Sequence, residues 1–143
     1  AHCVSKVLHH FYDLYPQKTA SDYLKAAQDL LSKQSKRALV LLVSCLRDED
    51  FSDLLAAVQL LQKKHLVAVI SIAEPIYQTT MNKQIEDFDD ALMFGSSLIL
   101  EQSIERNFTR LKKQGVLCIN APASQLTSNV INTYLSVKNV GLL

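Results

Sequence analysis

Cys45 closes an apolar run in the stretch RALVLLVSCLRDED, residues 37–50, and an acidic group follows at once: Asp48, Glu49, Asp50 and Asp53. A thiol at the end of a buried strand is placed for nucleophilic chemistry, because open α/β sheets bind ligands at the carboxyl ends of their strands. Its neighbours oppose that use, since adjacent carboxylates disfavour a thiolate. His65 could serve as a base, but it begins the next apolar run, HLVAVISIAEP. In a parallel sheet it therefore sits at the opposite edge, roughly 20 Å away. A second acidic group, Glu74, Glu86, Asp87, Asp89 and Asp90, follows that run. If the two strands are parallel, both groups lie at one end of the sheet. They either start helices and complement the helix dipole, or form a negative rim suited to a cation or to a partner's Arg and Lys.

Other chemistry finds little support. His9 and His10 are sequence neighbours, about 100° apart on a helix, without the i, i+4 partner of a zinc site. The chain has no Gly-x-Ser-x-Gly elbow and no Gly-rich phosphate loop. Asn107-Phe108-Thr109 has the form of a glycosylation sequon but falls inside a helical pattern, and it reads as chance.

The elements that must hold these residues follow from hydrophobic spacing. Val4, Val7, Leu8, Phe11 and Leu14 define a first amphipathic helix ended by Pro16; Ser21 is placed to cap a second, with Leu24, Ala27, Leu30 and Leu31 as its apolar face. Ala38–Ser44 is a strand of nearly continuous Leu and Val, the pattern of a strand covered on both faces. A third helix carries Leu54, Val58 and Leu61, with Lys63 and Lys64 near its carboxyl end. After the second strand, a polar stretch from Gln78 to Lys83 leads to a long fourth helix, Asp87 to Gln114, which Gly115 caps in the left-handed region. VLCINAP is the third strand, and Ser124 opens a last helix through Leu126, Val130, Ile131, Tyr134 and Leu135. Alternating strands and helices with short connections imply an α/β fold: a three-stranded parallel sheet with helices on both faces. Right-handed crossovers would put the third and fourth helices on one face, leaving the other to the second and last.

The chain has 143 residues, 48% hydrophobic and 20% charged, enough for the core of one domain. Fifteen Lys and Arg against 14 acids leave a net charge of +1, with no basic field for nucleic acid. The apolar runs are far shorter than the ~20 residues that cross a bilayer, and the amino terminus lacks a secretory pattern. Cys3, Cys45 and Cys118 are odd in number and lack CxxC spacing, which suits a reducing cytoplasm. Two helices precede any strand, so residues 1–143 read as one domain that is a fragment of a larger doubly wound one.

The stretch from Leu14 to Pro75, with LKKQGVLCINAPASQLTSNVINTYLSVK, resembles the carboxyl half of the bacterial domain of unknown function 58 family. Ser21-Asp22, Arg37, His65, Gly115, Pro122, Leu126 and Tyr134-Leu135 through Lys138 fit the family's pattern in order. The resemblance implies the back half of a von Willebrand factor A (Rossmann-like) domain. It also implies a MoxR-type AAA+ ATPase as partner. Such domains hold a metal through an Asp-x-Ser-x-Ser loop, a Thr and a strand-end Asp. Here Ser21 stands in the place of the metal-coordinating Thr, Ser44 before the strand end and Cys45 in place of the Asp, and the chain contains no Asp-x-Ser-x-Ser. A hard cation needs several oxygen ligands, so the metal site is expected to be incomplete, with no cofactor.

The expected function is a non-enzymatic protein–protein interaction module, with Asp48, Glu49, Asp50, Asp53, Glu86 and Asp87 as partner-binding candidates. The alternative is a small α/β enzyme with an unrecognised site near Cys45. The fragment is expected to be cytoplasmic and not membrane-spanning, a membrane anchor elsewhere in the parent protein being left open. It is also expected to form a homodimer through the outer edge of the first strand, which the missing half would leave bare, or through the apolar surface beside it.

Overall fold

The structure is a computed structural model that describes residues 21–73 and 75–142, together with Ser5, His9, Tyr12 and Tyr15. Cys3, His10, Glu74 and the apolar positions of the expected first helix lie outside the described residues. The described chain runs α1 (Tyr23–Lys33), β1 (Leu39–Val43), α2 (Asp48–Gln62), β2 (Leu66–Ala73), α3 (Pro75–Asn82), α4 (Phe88–Lys113), β3 (Leu117–Pro122) and α5 (Ala123–Asn139). The three strands form one parallel sheet in the order β1-β2-β3. No described helix is long and apolar enough to cross a membrane.

Register decides which side chains share a face. Leu42 pairs with Val69 and Val69 with Cys118, so Val40, Leu42, Val67, Val69 and Cys118 point to one side. There they meet Ala27 of α1, Phe51, Leu54, Ala57, Val58 and Leu61 of α2, and Phe108 and Leu111 of α4. The other side has a smaller core, Ile70, Ile119 and Ala121 under Leu126 and Val130 of α5. Val67 to Ile70 of the central strand are at most 1% exposed, as expected of a strand covered on both faces.

The helix layers differ from expectation in one respect. α1 does not share a face with α5; it packs against α2 on the larger core. The small side chain of Ala27 is buried there, and the Tyr23 hydroxyl lies 2.8 Å from Ser44 Oγ. The α5 face is consequently open above β1, with Leu41 41% and Val43 58% exposed.

Helix ends follow local chemistry. Asp22 rather than Ser21 caps α1, its carboxylate accepting from the Lys25 amide at 2.9 Å, while Asp87 caps α4 by accepting from the Asp90 amide at 2.8 Å. Gly115, at φ +74°, closes α4 in a Schellman motif, with Gly115 N donating to Lys112 O and Val116 N to Leu111 O. The expected polar stretch at 78–83 proves largely helical: α3 starts at Pro75, a residue suited to a first helical position, and packs along α4. Leu100 of α4 and Ala73 at the end of β2 line the same cavity. The twelve residues from Phe88 to Leu100 span about 18 Å of α4.

Candidate functional site

The site begins with the loop from Ser44 to Arg47. Ser44 N extends the ladder by donating to Ile70 O at 3.0 Å. Leu46 then adopts φ +42°, a strained conformation for a residue with a bulky side chain, and buries that side chain to 1% exposure. α4 fixes the strained turn. Asn107 Nδ2 donates to the Leu46 carbonyl at 3.1 Å and to Asp48 Oδ1 at 2.8 Å, while Arg106 reaches Asp48 Oδ2 at 3.3 Å. The Ser103 hydroxyl, then the Asn107 amide, hold the Asp48 carboxyl below its usual range, with Arg106 and Arg110 adding charge attraction. Arg110 also lies over the Phe51 ring, 4.6 Å from its centroid.

Clamping the loop leaves a cavity of about 350 Å³ between it, the carboxyl ends of β2 and β3, and α4. Leu100, Ile104 and Phe108 supply an apolar wall, and Cys45 opens onto the cavity from the loop. The sheet contributes Ser71, Cys118 and Asn120. Ser71 is 2% exposed. Burial pushes the Cys118 thiol above its usual 9.0, Lys112 acting in the opposite sense. Arg47, Lys112, Glu101 and Glu105 supply charges of both signs around the cavity.

The sequence candidates divide. Cys45 lines the cavity, whereas the Ser44 hydroxyl is engaged by Tyr23 and Ser21 is exposed. Asp48 belongs to the loop clamp. Glu49, Asp50 and Asp53 are exposed on α2, whose cap residue, Arg47, makes no side-chain capping bond; Glu49 and Asp50, in the first turn, act on the helix dipole rather than as caps, and Asp53 lies beyond that turn. Glu86 is exposed, Asp87 is a cap, and Asp90 pairs with Lys83 Nζ at 2.6 Å. The two acidic groups do not adjoin. Asn107 marks the level of Asp48, and Phe88, next to Asp87, lies nineteen residues back along α4, about 28 Å. His65 is 3% exposed at the start of β2, with neither ring nitrogen hydrogen-bonded among the described residues. No group of three or more His, Cys, Asp or Glu able to hold a metal occurs among the described residues.

Ser71, Asn120, Ser103 and Asn107 were missed from sequence. A signal existed for two of them: Ser71 interrupts the apolar run of β2, and Asn107 shares the helix face of Ile104 and Leu111. On the α5 face a second, shallower groove of about 480 Å³ runs between β1 and α5, lined by Leu39, Leu41, Val130, Ile131 and Tyr134 among others.

Comparison with protein families matches residues 1–88 to the family described as protein of unknown function DUF58. That segment includes the Cys45 loop and Ser71, while the α4 wall and β3 lie beyond it. No curated protein and no solved structure matches the chain.

Proposed function

We propose a function from one premise: the chain belongs to the DUF58 family of proteins of unknown function. It acts as a non-enzymatic interaction module, part of a larger von Willebrand factor A-like domain in the cytoplasm, and works with a MoxR-type AAA+ ATPase. The observation that supports an interaction role is the set of exposed apolar side chains in the amino-terminal half of α4. Phe88, Leu92 and Ile99 recur at helical spacing there, 79%, 59% and 69% exposed, with Met93 beside them at 55%. An apolar stripe of this kind marks a contact surface. Glu49, Asp50 and Asp53 add negative charge that speeds encounter with a basic partner surface.

The reading includes an incomplete metal site, because Cys45 takes the place of the strand-end carboxylate and the Ser44 hydroxyl is engaged by Tyr23. Pull-down of the MoxR-type ATPase encoded beside the parent gene tests the partnership. The chain retains the ATPase, and Phe88→Asp with Leu92→Asp abolishes retention; reversing charge at Glu49, Asp50 and Asp53 slows association and flattens its salt dependence. Failure of the unaltered chain to retain it removes the reading.

A second reading, a small α/β enzyme, rests on the cavity beside Cys45. Turnover of any compound that Cys45→Ser eliminates, with the fold intact, would favour it over the first.

A further inference from the structure

We propose that the cavity beneath the Cys45 loop binds a small uncharged ring compound presenting an N–H next to a C=O, the edge shared by aryl carboxamides and nucleobases. The inference goes beyond the partner reading and stands independently of it. Ser71 and Asn120 carry it: both line the cavity, paired across β2 and β3, and Ser71 is 2% exposed. Its hydroxyl is offered to the cavity, where a ligand can meet it as donor and acceptor.

The parallel register pairs Ser71 with Asn120, which places hydroxyl and amide side by side on the same face, with strand backbones about 4.8 Å apart. Both groups donate and accept, so together they match a ligand edge that does the same. Ile104 and Phe108 of α4 supply the apolar surface that covers the ring.

Charge is disfavoured at this end of the cavity. The neighbouring Cys118 thiol is pushed up by burial, Lys112 acting in the opposite sense. The ionisable side chains around the opening, Arg47, Lys112, Glu101 and Glu105, comprise two cations and two anions and exert no net pull. A volume of about 350 Å³ accommodates a single ring or a fused pair.

Saturation-transfer NMR on the 143-residue chain, with benzamide, uracil and benzoate as probes, tests the proposal. Benzamide or uracil binds, whichever is tighter naming the source of the edge, and benzoate binds at least about tenfold more weakly. Ser71→Ala and Asn120→Leu each reduce affinity about fivefold. Asn120 is exposed, so Asn120→Leu preserves the test if Ser71→Ala does not fold. Equal binding of benzoate and benzamide, binding of neither neutral probe, or unchanged affinity in a folded variant would overturn the assignment.

Discussion

Asn107 Nδ2 lies 2.8 Å from Asp48 Oδ1 and 3.1 Å from the Leu46 carbonyl oxygen, so one amide of α4 holds both the strained turn after β1 and the first residue of α2. Asn107 is 2% exposed. Asn107→Leu leaves the Leu46 carbonyl buried and unpaired, at a cost of about 1–3 kcal/mol. Urea unfolding should show a lower midpoint with an unchanged slope. An unchanged midpoint would mean that Leu46 holds its conformation without α4.

The same contacts set an acid dependence. Asp48 and Asp90 both have carboxyls held below the usual 3.8, Asp48 first by Ser103 and Asp90 first by Lys83. The unfolded chain then binds protons more readily than the folded one. Their stabilisation is present above the unfolded value and is lost as pH falls through the lower folded values. Unfolding curves from pH 6 to pH 2 should fall away in the acid range, and Asp48→Asn should shallow the decline. Parallel profiles for the two proteins would contradict the clamp.

Cys45 and Cys118 line one cavity but differ in access, Cys45 being exposed and Cys118 half-buried with its thiol pushed up. With Cys3 replaced by Ser, iodoacetamide at pH 8 should modify Cys45 well before Cys118. Peptide mass mapping over time reads the order directly. A compound seated on Ser71 and Asn120 should slow the Cys118 reaction further.

The strands, the Asp87 cap and the Gly115 turn were legible because each is written locally, in an apolar run or a single residue with one conformational role. The side taken by α1 was not. Its apolar residues state that it packs, whereas the burial of Ala27 and the Tyr23 to Ser44 contact, twenty-one residues apart, decide on what. The cavity was equally hidden: Ser71 and Asn120 become neighbours only through the β2–β3 register, and their wall arrives on a helix that sequence places between them.

Two glycines should respond to alanine with opposite signs. Gly95 is inside α4 with nothing within 4 Å of an added Cβ, so Gly95→Ala gains helix propensity of about 0.5–1 kcal/mol. Gly115 has the same open space but sits at φ +74°, and Gly115→Ala costs roughly 1 kcal/mol through the backbone alone. Thermal melts of the two variants should move in opposite directions.

The outer side of β1 pairs with no other strand among the described residues, and the side chains beside it, Leu41 and Val43, are 41% and 58% exposed. Leu39, Leu41, Val130, Ile131 and Tyr134 continue the apolar surface into the groove along α5. An unpaired strand edge beside an apolar face is a template for a second copy, and a two-fold arrangement covers both copies at once. The chain should therefore scatter light as a particle of twice 16.0 kDa at high concentration. Val43→Lys places a charge where the second copy must approach and should return the monomer without unfolding it. A monomeric parent chain with Val40–Val43 amides strongly protected from exchange would instead mean that another segment of the same chain already covers this edge.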